Sequence, residues 1–255
     1  KVKVGDKVVT HWMNSKGKNS VNPKYFYNKK SINSGLITTF SRHSVISQNK
    51  LTKIPKINID NKTLPLFGCS LSTAYGSFLN LKKIKKNKII AISGMGPIGI
   101  NILQISKISK PKKIIVIDIN KSKLNFSKKF GDIETLKFSN RSDFLKNINK
   151  LSQKKGIDYF FECSGNIRMI EMAFDTIKTE GTLFIIGNSK IGNKIKVDPF
   201  DFIKGKNIIG SFGGNFNPDK DIKKFYEIIK RNKINIKKQI TNIIKLDQIN
   251  KVFNL

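Results

Sequence analysis

The stretch IIAISGMGPIGINILQ, residues 89–104, constrains this chain more than any other. Ile89, Ile90, Ala91 and Ile92 form a short, near-continuous apolar run, the pattern of a strand buried on both faces of a parallel sheet. Ile98, Ile102 and Ile105 then recur at helical spacing, and Lys107, Lys110 and Pro111 supply a cationic last turn and a stop. Between strand and helix lie Gly94, Gly96 and Gly99. In that context Gly94 permits the tight turn, Gly96 lets the backbone approach a pyrophosphate, and Gly99 lets helix and strand pack closely. The anion would rest on the helix N-terminus. The next apolar run, Ile114–Ile117, ends in Asp118. A carboxylate there accepts hydrogen bonds from both hydroxyls of an adenosine ribose and repels a 2′-phosphate. The pattern predicts a dinucleotide site that takes NAD in preference to NADP. Two plainer readings stay open: a glycine turn with no ligand, and Asp118 as a helix-capping carboxylate.

The rhythm continues downstream. Asn120 can cap a helix whose Leu124 and Phe130 face inward and whose end is marked by Gly131. A weaker helix surrounds Phe144, Leu145, Ile148 and Leu151, and strands are predicted at Tyr159–Cys163, Leu183–Ile186 and Ile208–Gly210. This alternation argues an α/β fold with a doubly wound parallel sheet. The flanks differ. Residues 1–66 are short β-like pieces broken by Asn, Ser, Gly and Pro, and residues 217–255 read as one lysine-rich helix plus a short tail. No internal repeat is visible. The first residues, KVKVGDKVV, lack Met and a signal-like apolar region and read as a chain entered inside a domain.

Charge raises a rival reading. The 255 residues carry 49 Lys and Arg against 17 Asp and Glu, a formal net charge of +32, which on its own suggests nucleic acid or an anionic membrane as partner. Its texture argues otherwise. Arg42, Arg141, Arg168 and Arg231 are the only arginines, although Arg is the residue suited to bidentate phosphate or base recognition. The lysines scatter along the whole chain beside abundant Asn, Ile and Phe, residues whose codons are rich in A and T. A solvated coat is the expectation, with no specific nucleic-acid partner. Charges or amides interrupt every apolar island, so no membrane span is predicted. Cys69 and Cys163, far apart in a long chain, suggest reduced thiols and a cytoplasmic setting.

Five ordered segments, VGDKVV, LFGCSLSTAYGSFLN, GMGPIG, VIDINKSK and DYFFECSGN, resemble the zinc-type medium-chain alcohol dehydrogenases, including their glutathione-dependent formaldehyde dehydrogenase branch. The resemblance covers essentially the whole chain. It implies a Rossmann domain over residues 73–213, part of a β-rich, GroES-like catalytic domain over 1–72, and a return segment over 214–255. The implied activity is hydride transfer between a small alcohol or aldehyde and NAD, assisted by a catalytic zinc, in a homo-oligomer. By the same resemblance Cys69 matches a catalytic zinc ligand, Thr73 a hydroxyl packed on the nicotinamide, and Ile98 the branched residue on the ring's other face. Asp118 and Lys123 match the pair that holds the adenosine ribose. Ile186 and Phe212 match positions whose backbone contacts the carboxamide, and Cys163 a strand-end position near the adenosine. Three of these have a plainer reading: Cys69 a buried thiol beside Gly68, Ile98 core, Lys123 an exposed helix lysine.

The departures are as informative. The family's other two catalytic zinc ligands precede the VGDKVV segment and would lie upstream of Lys1, and neither His11 nor His43 fits their place. His11, beside Trp12, reads as a strand or loop histidine. The segment HWMNSKGKNSVNPKYFYNKKSINSG holds no cysteine where relatives carry four, so a structural zinc is not expected. Relatives also continue past Leu255. Two rivals follow: a zinc-free quinone or enoyl reductase of the same superfamily, against which Cys69 in its GCS setting argues, and a basic nucleic-acid-binding protein built on a dinucleotide fold.

Overall fold

A computed structural model describes residues 1–32, 34–54 and 59–252; the parts of the expected flanking segments at 33, 55–58 and 253–255 lie outside the described residues. In chain order the elements are β1 (Val8–Thr10), β2 (Tyr25–Tyr27), β3 (Lys30–Ile32), β4 (Leu51–Lys53), α1 (Ser70–Leu79), β5 (Ile89–Ser93), α2 (Pro97–Ser106), β6 (Lys113–Asp118), α3 (Lys121–Lys128), β7 (Glu134–Lys137), α4 (Arg141–Leu151), β8 (Ile157–Glu162), α5 (Ile167–Thr176), β9 (Ile177–Ile185), α6 (Pro199–Ile203), β10 (Asn207–Gly210), α7 (Pro218–Arg231) and α8 (Ile249–Val252). The chain divides into two compact units, Lys1–Ser72 with Asn217–Leu255, and Thr73–Phe216.

The second unit is a six-stranded, all-parallel sheet in the order β10-β9-β8-β5-β6-β7. Every residue of β5 and β8, the central pair, is buried, which is why β5 reads as a near-continuous apolar run and β8 carries Tyr159, Phe160 and Phe161 between two buried acids, Asp158 and Glu162. On one face Ala91, Ile115, Phe160 and Leu183 pack with Phe144, Ile148, Met169 and Phe174 from α4 and α5. Elsewhere in this unit Phe161 stacks on Phe184 with centroids 4.5 Å apart and on Phe78 of α1 at 5.7 Å. Asparagine side chains start the helices: Asn120 accepts from Ser122 N (2.8 Å), Asn140 from Asp143 N (3.0 Å) and Asn166 from Met169 N (3.1 Å). Helices α1 and α6, strand β7 and helix α5 exceed the sequence reading. β7 has only four residues with a single buried one, and α5 runs straight into β9 with no Gly or Pro between them to mark its end.

In the first unit β1 pairs antiparallel with β4, Val9 opposite Thr52, and β2 pairs with β3 across Asn28 and Lys29, both left-handed as a two-residue hairpin turn requires. Helix α7 follows its sequence closely. Asn217 caps it, Pro218 opens it, Asp219 and Asp221 lie in its first turn and Lys230 and Arg231 in its last. Ile222, Phe225 and Ile229 form its buried face. The lysine-rich helix expected over this region ends at Arg231, and the short tail expected after it instead contains 3-10 turns at Ile236–Gln239 and Leu246–Gln248 and the short α8. Several non-glycine residues adopt left-handed backbone at element ends, among them Lys110 (φ 49°), Lys154 (φ 59°) and Lys233 (φ 51°). Among the described residues no helix is long and apolar enough to cross a membrane.

The entry to β5 is tied by Asp158 of β8, which accepts from Ile89 N (2.9 Å) and pairs with Lys178 (2.6 Å) and Lys88 (3.3 Å). Burial raises the Asp158 pKa, but Lys178, the Ile89 amide and Lys88 outweigh it, so its net pKa lies below the ordinary 3.8. The contribution of a carboxylate depressed in the folded state is fully present above 3.8 and is lost as pH falls through the folded value. Asp158→Asn should therefore lower the denaturant midpoint at neutral pH, with the two unfolding curves converging on acidification; a constant gap down to low pH would contradict this assignment.

Candidate functional site

The glycine turn is built from backbone approaches that the sequence alone could only suggest. Gly94, left-handed at φ 83°, donates its N–H to Ile117 O at 2.9 Å, and a Cβ on it would stand 2.8 Å from Ser164 N. A Cβ on Gly99, in the first turn of α2, would stand 2.1 Å from Gly94 O. Both positions are closed to larger residues by the fold itself. Gly96 differs: a Cβ there would meet nothing within 4 Å, and no side chain caps the helix that begins after it. Protein packing therefore accounts for two of the three glycines. The open space over the third, at an uncapped helix N-terminus, suits an approaching anion.

Asp118 closes β6 with both oxygens engaged and 8% of its surface exposed. Oδ2 accepts from Met95 N in the glycine turn at 2.7 Å, and Oδ1 accepts from Asn120 N at 2.8 Å. Asn120, not Asp118, caps α3, which answers the capping alternative. A cleft of about 250 Å³ opens beside it, lined by Ser93, Gly94, Ile117, Asp118, Ile119, Phe138, Ser164, Asn166 and Met169. It lies outside the carboxyl ends of β5, β6, β7 and β8. The chain winds outward from β5 through β6 to β7 and then returns to place β8 on the other side of β5, so the cleft sits at a topological switch point.

The other sequence-predicted residues distribute around this frame. Ile98 is half-buried in the first turn of α2, and Lys123 is exposed in the first turn of α3. Ile186 is buried, its N–H donated to Glu162 O at 2.9 Å. Thr73 is buried on α1, whose Gly76 packs so closely on Gly214 that a Cβ would stand 2.3 Å from Gly214 O, while Ser77 and Ser211 share a 2.6 Å hydrogen bond. This contact brings α1 against the turn that holds Phe212, whose side chain is 71% exposed. Neither Thr73, Ile98, Lys123, Ile186 nor Phe212 lines the 250 Å³ cleft.

In the first unit Cys69 is exposed, correcting the reading of it as a buried thiol: it follows the 3-10 turn Leu64–Gly68 and projects to the edge of a cavity of about 760 Å³ shared with Val9, His11, Trp12 and Leu64. Protein atoms around it still displace enough water to push its thiol pKa up. His11 is 1% exposed directly after β1, its ring nitrogens on Met13 O (2.8 Å) and Thr52 Oγ1 (2.9 Å). Among the described residues no three of His, Cys, Asp and Glu converge as a metal site would need. Cys163 is partly buried, and desolvation together with Glu162 holds its thiol pKa well above the ordinary value. Sequence reasoning passed over Glu162 itself, a fully buried acid in an apolar strand; that mismatch of residue type and surroundings was the available signal.

Residues 97–231 match the family described as zinc-binding dehydrogenase. The S-(hydroxymethyl)glutathione dehydrogenase of Haemophilus influenzae is 30% identical over 220 residues, 86% of this chain and 58% of that protein. The chain thus spans 58% of the length of that curated relative. Among solved structures, benzyl alcohol dehydrogenase from Acinetobacter calcoaceticus superposes with a TM-score of 0.74 at 22% identity, covering 82% of this chain and 57% of the other. A zinc-binding dehydrogenase from Sinorhizobium meliloti, bound to NADP, superposes at 0.69 with 21% identity over 85% of this chain and 62% of that one.

The glycine geometry separates stability from binding. Gly99→Ala should destabilise the protein by about 1–3 kcal/mol or more, because neither backbone segment can give way. Gly96→Ala should change the unfolding free energy by less than about 1 kcal/mol. Chemical denaturation of the two variants side by side checks this; equal losses would show that position 96 is closed by packing as well.

Proposed function

The chain belongs to the zinc-binding dehydrogenase family, and we propose that it forms the dinucleotide-binding part, with a portion of the companion β-rich domain, of an NAD-dependent oxidoreductase acting on a small alcohol or aldehyde. The observation that carries the reading is the pairing of Asp118 with the open space over Gly96 at one switch point. In this reading residues 73–213 hold the cofactor, 1–72 are the surviving catalytic-domain segment, and 214–255 return toward it. Gly94, Gly96 and Gly99 shape the turn on which the pyrophosphate rests, and the N–H groups at the start of α2 face it. Asp118 accepts the ribose hydroxyls, assisted by Lys123. Ile98 and Thr73 pack against the nicotinamide, and the backbone at Ile186 and Phe212 meets its carboxamide. When bound, the cofactor supplies a hydride acceptor and donor at nicotinamide C4.

Cys69 is the one proposed zinc ligand, and the described residues supply no set of three, so no step of the reaction is derived through the metal. A soluble, cytoplasmic homo-oligomer belongs to the same proposal. So does the surface: the lysines form a solvated coat, and DNA binding, where it occurs at all, should be sequence-indifferent and lost steeply with salt, whereas dinucleotide affinity should change little.

A solved neighbour of the same fold is bound to NADP, so likeness of fold does not argue for NAD. Here the choice falls to Asp118, whose charge would meet a 2′-phosphate at close range. NADPH should bind on the order of tenfold more weakly than NADH. Asp118→Ala should narrow that gap while weakening NADH, because it also releases the Met95 amide. Fluorescence titration of both cofactors against both proteins is the check, and equal wild-type affinities would refute NAD preference.

A further inference from the structure

Glu162 ends β8 with none of its surface exposed, and among the described residues it takes part in no ion pair. Burying a carboxylate without a cation costs several kcal/mol unless hydrogen bonds satisfy it. Here they do. Oε1 accepts from Ser93 Oγ (3.1 Å), from Ser164 N (2.8 Å) and from Ser164 Oγ, and Oε2 accepts from Gly165 N (3.0 Å). Its main-chain carbonyl accepts from Ile186 N (2.9 Å) and Gly187 N (3.0 Å). One residue therefore gathers the ends of three neighbouring strands, β5, β8 and β9. Two of its partners, Ser93 and Ser164, line the cleft beside Asp118. Ser164 N is also the atom against which Gly94 turns.

We propose that Glu162 is a positioning residue for the cofactor: its carboxylate holds the turn Cys163–Asn166 as a preformed wall of the dinucleotide cleft. The inference rests on the proposed function for the identity of the ligand, and on the geometry above for the wall. A carboxylate is needed because all four bonds arrive from donors. In Glu162→Gln the amide nitrogen would face another donor, either Gly165 N–H or the Ser93 and Ser164 groups, so part of the turn must shift.

The test uses the full-length protein with NADH and ADP-ribose as probes, each titrated against wild type, Glu162→Gln and Ile148→Val, a core variant matched for lost stability. The wall borders the Asp118 side of the cleft, so Glu162→Gln should weaken both probes by the same factor, on the order of tenfold, while Ile148→Val leaves both affinities unchanged. Unaltered affinities in a destabilised Glu162→Gln would overturn the proposal and leave a purely structural role. A loss confined to NADH would overturn it equally, since the displaced wall would then lie at the wrong end. Wild type that binds neither probe removes the proposed function and this inference with it, an outcome distinct from equal binding by wild type and variant. Should Glu162→Gln not fold, hydrogen exchange of unliganded wild type decides. Slow exchange at the Ser164 and Gly165 amides supports a preformed wall, and exchange at unstructured rates that slows only with NADH overturns it.

Discussion

Three backbone contacts, each closer than a Cβ would allow, hold the central strand ends together. Gly99 lies on the carbonyl of Gly94, Gly94 on the amide of Ser164, and Gly187 on the amide of Gly165, where a Cβ would stand 2.2 Å away. With side chains removed from these contacts, the turns after β5, β8 and β9 can converge instead of splaying with the twist of the sheet. The cleft at the switch point is a result of that convergence. So is the position of Asp118, which can reach the Met95 amide only because the glycine turn folds back toward β6. Substituents at these points would not merely crowd the site; they would separate the layers that create it.

The parts of this architecture that the sequence makes legible are those where one physical requirement dominates a local segment. β5 and β6 are buried through nearly their whole length and so appear as unbroken apolar runs; Asn120 appears as a cap because its side chain answers α3 directly. β1 to β4 are three-residue strands with mixed exposure, too short for a period to emerge. α5 escapes because Thr176 passes into Ile177 without a terminating residue. Glu162 is illegible for a different reason. Its donors come from Ser93, Ser164 and Gly165, residues distant from one another or unremarkable in sequence, and their common focus exists only after the strands have assembled. The Asp118 side chain reads as a ligand acceptor in sequence; that each of its oxygens also accepts one main-chain N–H, from Met95 and Asn120, and keeps a second lone pair, emerges only from the fold.

Charge is distributed with a comparable division of labour. Pairs such as Arg141 with Asp175 and Lys237 with Asp60 are largely exposed and contribute little in water. Asp158 and Glu162 lie at opposite ends of β8, and each is satisfied in its own way: Asp158 by two lysines and an amide, Glu162 by hydroxyls and amides alone. The excess of lysine therefore stabilises one end of the strand and is kept away from the other. An ammonium group beside Glu162 would compete with the very N–H groups that shape the cleft.

The left-handed lysines at Lys110, Lys154 and Lys233 carry a further implication. A residue with a Cβ in that conformation gives up about 1–2 kcal/mol relative to its relaxed backbone, and glycine is the usual occupant of such helix ends. Their presence means that the turn geometry is imposed from outside, by the packed elements on either side, and is not encoded by the residue that adopts it. At these points residue identity has been uncoupled from conformation. A chain whose codon composition drifts toward lysine and asparagine can thus lose the local signals of its turns one after another while the path of its backbone persists, until the core no longer has stability to spare.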